Sequence, residues 1–284
     1  MEVLTPEDHA FFKENGYVVV HNAVPQENLD AVVHALWEFL GMDRNNPDDW
    51  YRQPLHSSGM VEMYHRQAQW NNRQHPRIYQ AFTEILDNNN LWVSIDKTSL
   101  KPPQHPNHAE FDNKGFIHWD ADTSKLPIPL SVQGVLYLTD TDVNQGGFQC
   151  VPSLFKVFDD WLKTQPTDRN PHSPDLTGFK VVPIPGKAGD LVIWNRLLAH
   201  GSGHNVSNQP RLAQYITMFD PTPRETSSVG WGGDREARIR QWQERLPPDA
   251  SWAPGDPRKW EQLHCTAAEL TPLGRKLLGL DLWE

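Results

Sequence analysis

The pattern of apolar and polar positions near the N-terminus predicts a short helix followed by a strand. Thr5 and Asp8 have the spacing of a capping box, and Gly16 suits the residue that ends a helix. These signals bound a helix over residues 6–15. The apolar run YVVV at 17–20 then predicts a strand, because valine is enriched in strands and less favourable in helices.

Helical periodicity returns twice before residue 90. Apolar residues recur at intervals of three and four from Leu29 to Leu40, which predicts an amphipathic helix. Residues 42–60 are rich in Asp, Asn and Pro and predict a loop, whereas the segment PRIYQAFTEILD, which begins at Pro76, is helical in period. The N-terminal part of the chain is therefore expected to be a helical entry module.

From residue 91 the period changes to that of short strands separated by turn residues. The strand-like runs are LWVSIDKTSL, GFIHW, SVQGVLYL, GFKVVPIP, DLVIW and LAQYITMF. Runs of this kind without helices between them predict an antiparallel sandwich or barrel of the jelly-roll kind. The long loop at 164–178 interrupts them, and it is either a lid over a site or an idle solvated insertion.

The last part of the chain has helical patterns again. DREARIRQWQERL predicts a charged surface helix, and LTPLGRKLLGLDLW predicts a helix that packs on the core through its leucines. We therefore expect one domain over residues 1–284. Its segments are a helical entry module at 1–90, a jelly-roll core at 91–220 and a C-terminal extension at 221–284 that packs on the core.

Composition restricts the kinds of partner that the protein is expected to bind. The formal net charge of -10 argues against nucleic acid or an anionic membrane as the main partner, because both require a positive surface. The apolar runs are far too short to span a bilayer, and the first residues are polar and acidic rather than leader-like. Cys150 and Cys265 are expected to be reduced thiols. These features predict a soluble cytoplasmic protein with a small-molecule partner, and they predict no particular oligomeric state.

The segment GFIHWDAD at 115–122 carries the most specific chemistry. In a strand, residues two apart share a face, so His118 and Asp120 would point together while Trp119 points away. Two histidines and one carboxylate on one face of an octahedron are the ligands of non-heme iron(II) oxygenases. His200, which follows the run DLVIW after a short turn, is the candidate for the third ligand.

Two alternatives to this metal site stay open at the level of the residues. His108 and Glu110 form a second pair of the same kind, although the residues around them are loop-like rather than strand-like. A hydrogen-bonded structural contact between His118 and Asp120 is an equal alternative for that pair considered alone.

Arg211 strengthens the metal interpretation. It begins the apolar strand LAQYITMF, and an arginine in that position requires an anionic partner because its charge is not removed by losing a proton. A dicarboxylate would satisfy the planar guanidinium, and Ser202 would add a hydroxyl. An internal Asp or Glu is the competing partner for Arg211.

Together these residues resemble the phytanoyl-CoA dioxygenase-like family of iron(II)- and 2-oxoglutarate-dependent oxygenases. The resemblance runs from about residue 4 to residue 220. It rests on the segments LTPEDHAFFKENGYVVVHNAV, LKPP, HWD, VLYLTDTDVNQGGFQCVPSLF and GDLVIWNRLLAHGSGHNVSNQPR. The family often has PGSH where this chain has PSLF at 152–155, which affects the turn there rather than the metal ligands.

The resemblance implies a mainly β fold, with a double-stranded β-helix (jelly-roll or cupin-like) core and flanking N- and C-terminal helices. It implies that His118, Asp120 and His200 bind Fe(II), and that Arg211 and Ser202 hold the far carboxylate of the cosubstrate 2-oxoglutarate. It also implies that O₂ is the second cosubstrate and that the products are succinate, CO₂ and an oxidised small molecule. Because the acidic ligand is present, hydroxylation of a C–H bond is favoured over halogenation.

Five further residues are weaker candidates. Thr98 and Lys101 are predicted to bind the cosubstrate, and Gln133, Lys97 and Trp119 to contact the substrate, because polar side chains on barrel strands need partners. The four polar residues would lie equally well on the wet outer face, and a large aromatic is more often packing than a binding surface.

Two other classes of function compete with an oxygenase. A cupin-like metal-binding protein without turnover would keep the ligands, but it would have no need for the dicarboxylate-binding pair Arg211 and Ser202. A zinc hydrolase would use the same ligands, but no separate general base is marked in the sequence.

Overall fold

The N-terminal elements form where the sequence patterns predict them. The computed structural model describes residues 2–221 and 234–283. Thr5 caps helix α1 (Pro6–Asn15): its Oγ1 accepts a hydrogen bond from the Asp8 amide at 3.1 Å, and the Asp8 carboxylate accepts one from the Thr5 amide at 2.9 Å. Gly16 ends the helix with a φ of 78°, a conformation that glycine adopts without strain. The predicted capping box is confirmed.

Helix α2 (Gln26–Leu40) buries the apolar stripe that its sequence predicts. Leu29, Val32, Leu36 and Leu40 are each at most 1% exposed. Each such side chain contributes about 1.5–3 kcal/mol through removal of apolar surface from water. Packing of this face, rather than intrinsic helix propensity, therefore stabilises the helix.

The remaining elements alternate between helices and short strands. The other helices are α3 (Gln67–Arg73), α4 (Pro76–Leu86), α5 (Pro152–Lys156), α6 (Phe158–Lys163), α7 (Arg235–Glu244), α8 (Trp260–His264) and α9 (Pro272–Leu278). The strands are β1 (Tyr17–Val20), β2 (Met60–Val61), β3 (Trp92–Val93), β4 (Thr98–Lys101), β5 (Val132–Tyr137), β6 (Phe148–Cys150), β7 (Val182–Pro183), β8 (Leu191–Asn195), β9 (His200–Ser202), β10 (Arg211–Tyr215) and β11 (Met218–Phe219). Short 3₁₀ helices occur at Pro47–Trp50 and Ala109–Phe111.

The strands form antiparallel sheets. The largest sheet has six strands in the order β1-β8-β5-β10-β4-β2, a second has three in the order β7-β6-β9, and β11 pairs with β3. One hydrophobic cluster joins the first two sheets, since it contains Val135, Val192 and Ala213 from the six-stranded sheet and Phe148 and Cys150 from the three-stranded sheet. These two sheets therefore pack face to face, as in a sandwich.

The other face of the six-stranded sheet packs on helices. Its alternate residues, including Leu136, Ile193 and Leu212, lie in the largest hydrophobic cluster together with residues of α2 and α4. Leu277 and Leu278 of α9 belong to the same cluster, so the predicted packing of the C-terminal helix is confirmed.

Two sequence expectations are wrong. The run GFIHW is not a strand, because in this segment only His118 forms a bridge, to His200. Helices α5 and α6 lie between β6 and β7, so the core segment is not free of helices; α5 occupies the position of the variant sequence PSLF. The predicted surface helix is present as α7, and one of its charged residues is buried: Arg238 is 1% exposed and donates to the carbonyl groups of Val93 and Leu278.

The C-terminal region is joined to the entry module through one buried and one partly buried carboxylate. Glu261 of α8 accepts hydrogen bonds from the backbone amides of Tyr64 and His65, both at 2.7 Å. Glu62 accepts one from the Gly255 amide at 3.0 Å. Residues 222–233 of the predicted extension lie outside the described residues. No helix in the described ranges has the length and apolar character that crossing a bilayer requires.

Candidate metal centre

The predicted metal ligands are brought together by a single pair of backbone hydrogen bonds. The His118 amide donates to the His200 carbonyl at 2.9 Å, and the His200 amide donates to the His118 carbonyl at 3.0 Å. This close approach requires glycine on both segments. A Cβ on Gly201 would lie 2.0 Å from the Phe116 carbonyl oxygen, and a Cβ on Gly115 would lie 1.8 Å from the Ser202 carbonyl oxygen.

The three side chains converge in the way that the sequence predicts. His118 Nε2 lies 3.4 Å from Asp120 Oδ1, and His200 Nε2 lies 3.6 Å from Asp120 Oδ2. One ligand atom from each residue falls within a group whose members are at most 4.8 Å apart. Among the described residues this is the one cluster of three such side chains. His200 is buried, while His118 and Asp120 are partly open to solvent.

The donor set of the cluster suits a divalent cation. His200 Nδ1 lies 2.9 Å from the Leu198 carbonyl oxygen and donates to it, which leaves Nε2 as the ring nitrogen that faces Asp120. Burial raises the pKa of the Asp120 carboxyl, but hydrogen bonds from His118 and His200 outweigh burial and hold the pKa well below its usual range. The cluster therefore offers two imidazole nitrogens and one carboxylate, a donor set that suits iron(II).

The competing pair is not part of such a cluster. His108 Nδ1 lies 3.3 Å from Glu110 Oε1, but the Glu110 side chain is 60% exposed and the His108 ring stacks on Tyr51. In the described part of the chain no third ligand residue joins them. The preference for His118 and Asp120 is therefore supported by geometry.

Arg211 lies on the inner face of the six-stranded sheet without a carboxylate partner. It is 4% exposed; its Nη1 donates to Ser99 Oγ and its Nε donates to the Gly146 carbonyl at 3.2 Å. Within residues 2–221 and 234–283 it forms no ion pair, so the alternative of an internal Asp or Glu partner finds no support. A buried cation of this kind requires an anion from outside the chain.

Lys101 adds a second cation beside Arg211. The two residues are register partners on β4 and β10, and Lys101 Nζ donates to Ser202 Oγ at 3.2 Å and to the Gly203 carbonyl. Burial, and then the charge of Arg211, lower the pKa of Lys101 to about 7, against a smaller opposite effect of Asp112. Arg211, Lys101, Ser202 and Ser99 thus form a positively charged polar pocket.

Thr98 and Lys97 are not part of this pocket. Thr98 pairs with Gln214, whose side chain hydrogen-bonds to α3, so Thr98 lies on the helix-covered face of the sheet, opposite Lys101. Lys97 lies on the inner face, but its ammonium donates to Glu62 at 2.7 Å and to the Trp252 carbonyl. The structure therefore commits Lys97 to a tether with the C-terminal region rather than to a substrate.

Trp119 is also not available to a substrate. It is 1% exposed, packs against Phe158 and Trp161, and donates from Nε1 to the Leu197 carbonyl at 2.8 Å. The loop at 164–178 covers the same segment, because His172 exchanges hydrogen bonds with the Trp119 backbone and Arg169 bonds to Thr123. This loop is thus not an insertion that contacts solvent alone.

Gln133 is placed as a binding residue would be. It is 4% exposed on the inner face, and its Oε1 has no hydrogen-bond partner among the described residues. Two residues of the site were missed at the level of the sequence: Ser99, which binds Arg211, and Arg196, which binds the Asp120 carbonyl at 2.8 Å. Strand alternation from Lys101 to Ser99, and from Trp194 to Arg196, is the signal that would have found them.

Comparisons with known proteins identify the family that the chain resembles. The sequence profile described as phytanoyl-CoA dioxygenase matches residues 12–213. A Dictyostelium discoideum protein named as a phytanoyl-CoA dioxygenase is 23% identical over 262 residues, covering 74% of each chain.

Two solved structures show that the fold is shared. The GlcNAc Inducible Gene 2 protein of Candida albicans has a TM-score of 0.71 at 14% identity, covering 99% of this chain and 77% of its own. The epimerase SnoN, in complex with Fe3+, alpha ketoglutarate and nogalamycin RO, has a TM-score of 0.57 at 19% identity, covering 93% and 94%.

Proposed function

The chain belongs to the phytanoyl-CoA dioxygenase family, and we propose on that basis that it is an iron(II)- and 2-oxoglutarate-dependent oxygenase acting on a small molecule. The observation that carries the proposal is the combination of two sites, one from each of the two packed sheets, that the contact of Lys101 with Ser202 joins. One is the cluster of His118, Asp120 and His200, and the other is the pocket of Arg211 and Lys101, which has no anionic partner in the described chain.

The residues of the cluster fit the metal. His118 Nε2, His200 Nε2 and one Asp120 oxygen would hold iron(II) and leave the remaining positions open. Bound iron(II), together with 2-oxoglutarate and O₂, supplies the oxidising power, and succinate and CO₂ are the coproducts. The hydrogen bond from His200 Nδ1 to the Leu198 carbonyl fixes the ring orientation that this role requires.

The pocket residues would hold the far carboxylate of 2-oxoglutarate. Arg211 presents a planar fork, and Ser99 and the Gly146 carbonyl keep it oriented. Lys101 and Ser202 supply a second cation and a hydroxyl at 3.2 Å from each other. An anion between these two cations removes their mutual repulsion, so the pocket is specific for a negatively charged group.

Hydroxylation of an unactivated C–H bond is the reaction that we propose. Asp120 occupies the acidic-ligand position, so the cluster keeps a full set of three protein ligands. The pocket of Arg211 and Lys101 argues against a metal-binding protein without turnover, because simple metal storage requires no dicarboxylate site. A zinc hydrolase would have no use for that pocket either.

The same proposal includes the arrangement of the fold. We assign the two packed antiparallel sheets to a double-stranded β-helix, and residues 1–284 to a single catalytic domain. Support comes from the largest hydrophobic cluster, which includes residues of the entry module, the sheet and the C-terminal helix.

An anaerobic titration tests the function. Apoprotein is titrated with iron(II) and 2-oxoglutarate, and the weak visible charge-transfer band of the chelate is followed in wild type and in Asp120→Ala and Arg211→Leu. We expect a band in the wild type, no band in Asp120→Ala, and a band in Arg211→Leu only at much higher 2-oxoglutarate concentrations.

Glu110→Ala is the matched control, because it removes the exposed carboxylate of the competing pair. It should leave the band unchanged. A wild type that binds iron(II) but gives no band with 2-oxoglutarate would contradict the proposal and favour a metal-binding protein. Retention of the band in Asp120→Ala would show that the ligands are wrongly assigned.

A further inference from the structure

A third cation lies directly beside the metal cluster. It belongs to a residue that is not part of the 2-oxoglutarate pocket. Arg196 follows the last residue of β8, and its Nη2 donates to the backbone carbonyl of Asp120 at 2.8 Å. Its own amide donates to the Ser131 carbonyl at 3.0 Å. Hydrogen bonds at the backbone amide and at the guanidinium therefore both hold Arg196 next to Asp120.

Arg196 has no ion pair in the described ranges. Its Nε is buried and has no hydrogen-bond partner among the described residues, although the Asp120 carboxylate exerts a favourable electrostatic effect. That carboxylate is also the anionic ligand of the cluster, so a bound divalent cation would neutralise it. The charge of Arg196 then lacks an internal counterion, and a partly buried guanidinium in that state favours an external anion.

Two neighbouring side chains also have a buried polar atom without a hydrogen-bond partner among the described residues, and they form a wall with Arg196. Trp194 lies two residues before Arg196 and pairs with Gln133 across β5 and β8, so the three alternate residues face the same side. Trp194 Nε1 and Gln133 Oε1 are both buried and without partners among the described residues, and both residues are 4% exposed. The Trp194 ring lies 5.0 Å from the His200 ring.

This wall lies away from the 2-oxoglutarate pocket. In the register of β5 and β10, Tyr137 is opposite Ala213. Arg211 lies two residues beyond this pair in one direction, and Gln133 lies four residues away in the other. At about 3.3 Å per residue, Arg211 and Gln133 are therefore about 20 Å apart along the strands. A single 2-oxoglutarate molecule, chelated at the cluster, does not reach both.

An exposed aromatic ring also adjoins the cluster. The Phe116 side chain belongs to a residue that is 70% exposed, and its ring lies 4.7 Å from the His118 ring. An exposed aromatic ring over a metal ligand offers contact area to an apolar ligand at the mouth of the site.

We propose that Arg196 binds a carboxylate of the primary substrate, so that the substrate is an organic acid with an apolar body. Trp194 Nε1 and Gln133 Oε1 supply one further donor and one further acceptor to polar atoms of that substrate, and Phe116 contacts its apolar part. This inference rests on the proposed oxygenase function and assigns the substrate class of the same site.

Ligand-observed fluorine NMR tests this inference without turnover. The protein is loaded with zinc(II) and saturating 2-oxoglutarate, and the probes are 4-(trifluoromethyl)phenylacetate and its neutral carboxamide. We expect the carboxylate to bind the wild type at least about tenfold more tightly than the carboxamide, as a charge-assisted hydrogen bond predicts. Arg196→Gln should abolish this preference, and Arg196→Lys should retain part of it.

Arg240→Gln is the matched control, because it neutralises an exposed arginine that pairs with Asp249. It should behave as wild type. Equal binding of both probes to the wild type, or an unchanged preference in Arg196→Gln, would overturn the inference. Loss of zinc or 2-oxoglutarate binding in both Arg196 variants would also overturn it, since Arg196 would then only position Asp120. Failure of the wild type itself to bind 2-oxoglutarate would instead refute the proposed function.

Discussion

The ionisation of Lys101 should make the affinity for 2-oxoglutarate depend on pH. Burial and the neighbouring charge of Arg211 lower the pKa of Lys101 to about 7. A carboxylate between the two cations favours the charged ammonium, so it raises this pKa in the complex. Binding therefore takes up a proton at pH values above about 7, and affinity falls as pH rises through that value.

The size of the effect follows from the ionised fraction. With a pKa of about 7 the ammonium is about nine-tenths protonated at pH 6 and about one-tenth protonated at pH 8. If only the charged form binds tightly, the dissociation constant of 2-oxoglutarate rises about tenfold between these pH values, or about 1.4 kcal/mol. Both carboxylates of 2-oxoglutarate stay ionised over this range, so the ligand adds no pH dependence.

The measurement is an anaerobic titration of the zinc-loaded protein with 2-oxoglutarate by calorimetry, at pH 6, 7 and 8 in buffers of different ionisation enthalpy. The wild type should weaken with pH and take up a proton at pH 8. Lys101→Arg keeps its charge throughout, so its affinity should stay constant with pH. Parallel curves for wild type and Lys101→Arg, or no proton uptake at pH 8, would refute the reasoning.

Two other predictions concern the segment of the metal ligands and the buried core. Gly201→Ala should weaken metal binding by about tenfold or more while circular dichroism stays that of the wild type, because its Cβ would lie 2.0 Å from the Phe116 carbonyl oxygen and displace the segment that carries His118. Unchanged metal affinity would show that the segment adapts freely. Burial, and then the charge of Arg73, lower the pKa of His65 to about 3. Below about pH 6.5 the unfolded chain binds a proton at His65, whereas the folded chain does not. This difference lowers the free energy of unfolding by up to about 1.4 kcal/mol for each pH unit below 6.5. Urea unfolding at pH 7 and pH 5 should therefore show that His65→Leu loses less free energy of unfolding between these pH values than the wild type does. Equal losses would contradict the assigned pKa.

The sequence signals that succeeded are local ones. The first helix is bounded by Thr5, Asp8 and Gly16, and each signal acts within a few residues of its target. The side chains of His118 and Asp120 lie close together because the residues are two apart in the sequence, and this holds although the segment is not a strand.

The contacts that strand periodicity does not predict join residues far apart in the chain. Trp119 packs against Phe158 and Trp161 of a helix that strand periodicity did not predict. Lys97 is bound by Glu62 and by the Trp252 carbonyl, and neither partner is visible from the alternation of β4. Arg196 becomes notable only when Asp120 is seen beside it. Residue type and period do not encode such pairings.

The bonds that Glu261 makes have a consequence for the order in which the chain is synthesised. The amides of Tyr64 and His65 are translated almost two hundred residues before the carboxylate that accepts their hydrogen bonds. While the chain grows on the ribosome these amides have no such acceptor, and burying them early would leave two donors unsatisfied. We therefore expect the entry module to stay open to water at this point until Glu261 has been translated. Its final closure is then a late step of folding rather than the first step that its position in the chain would suggest.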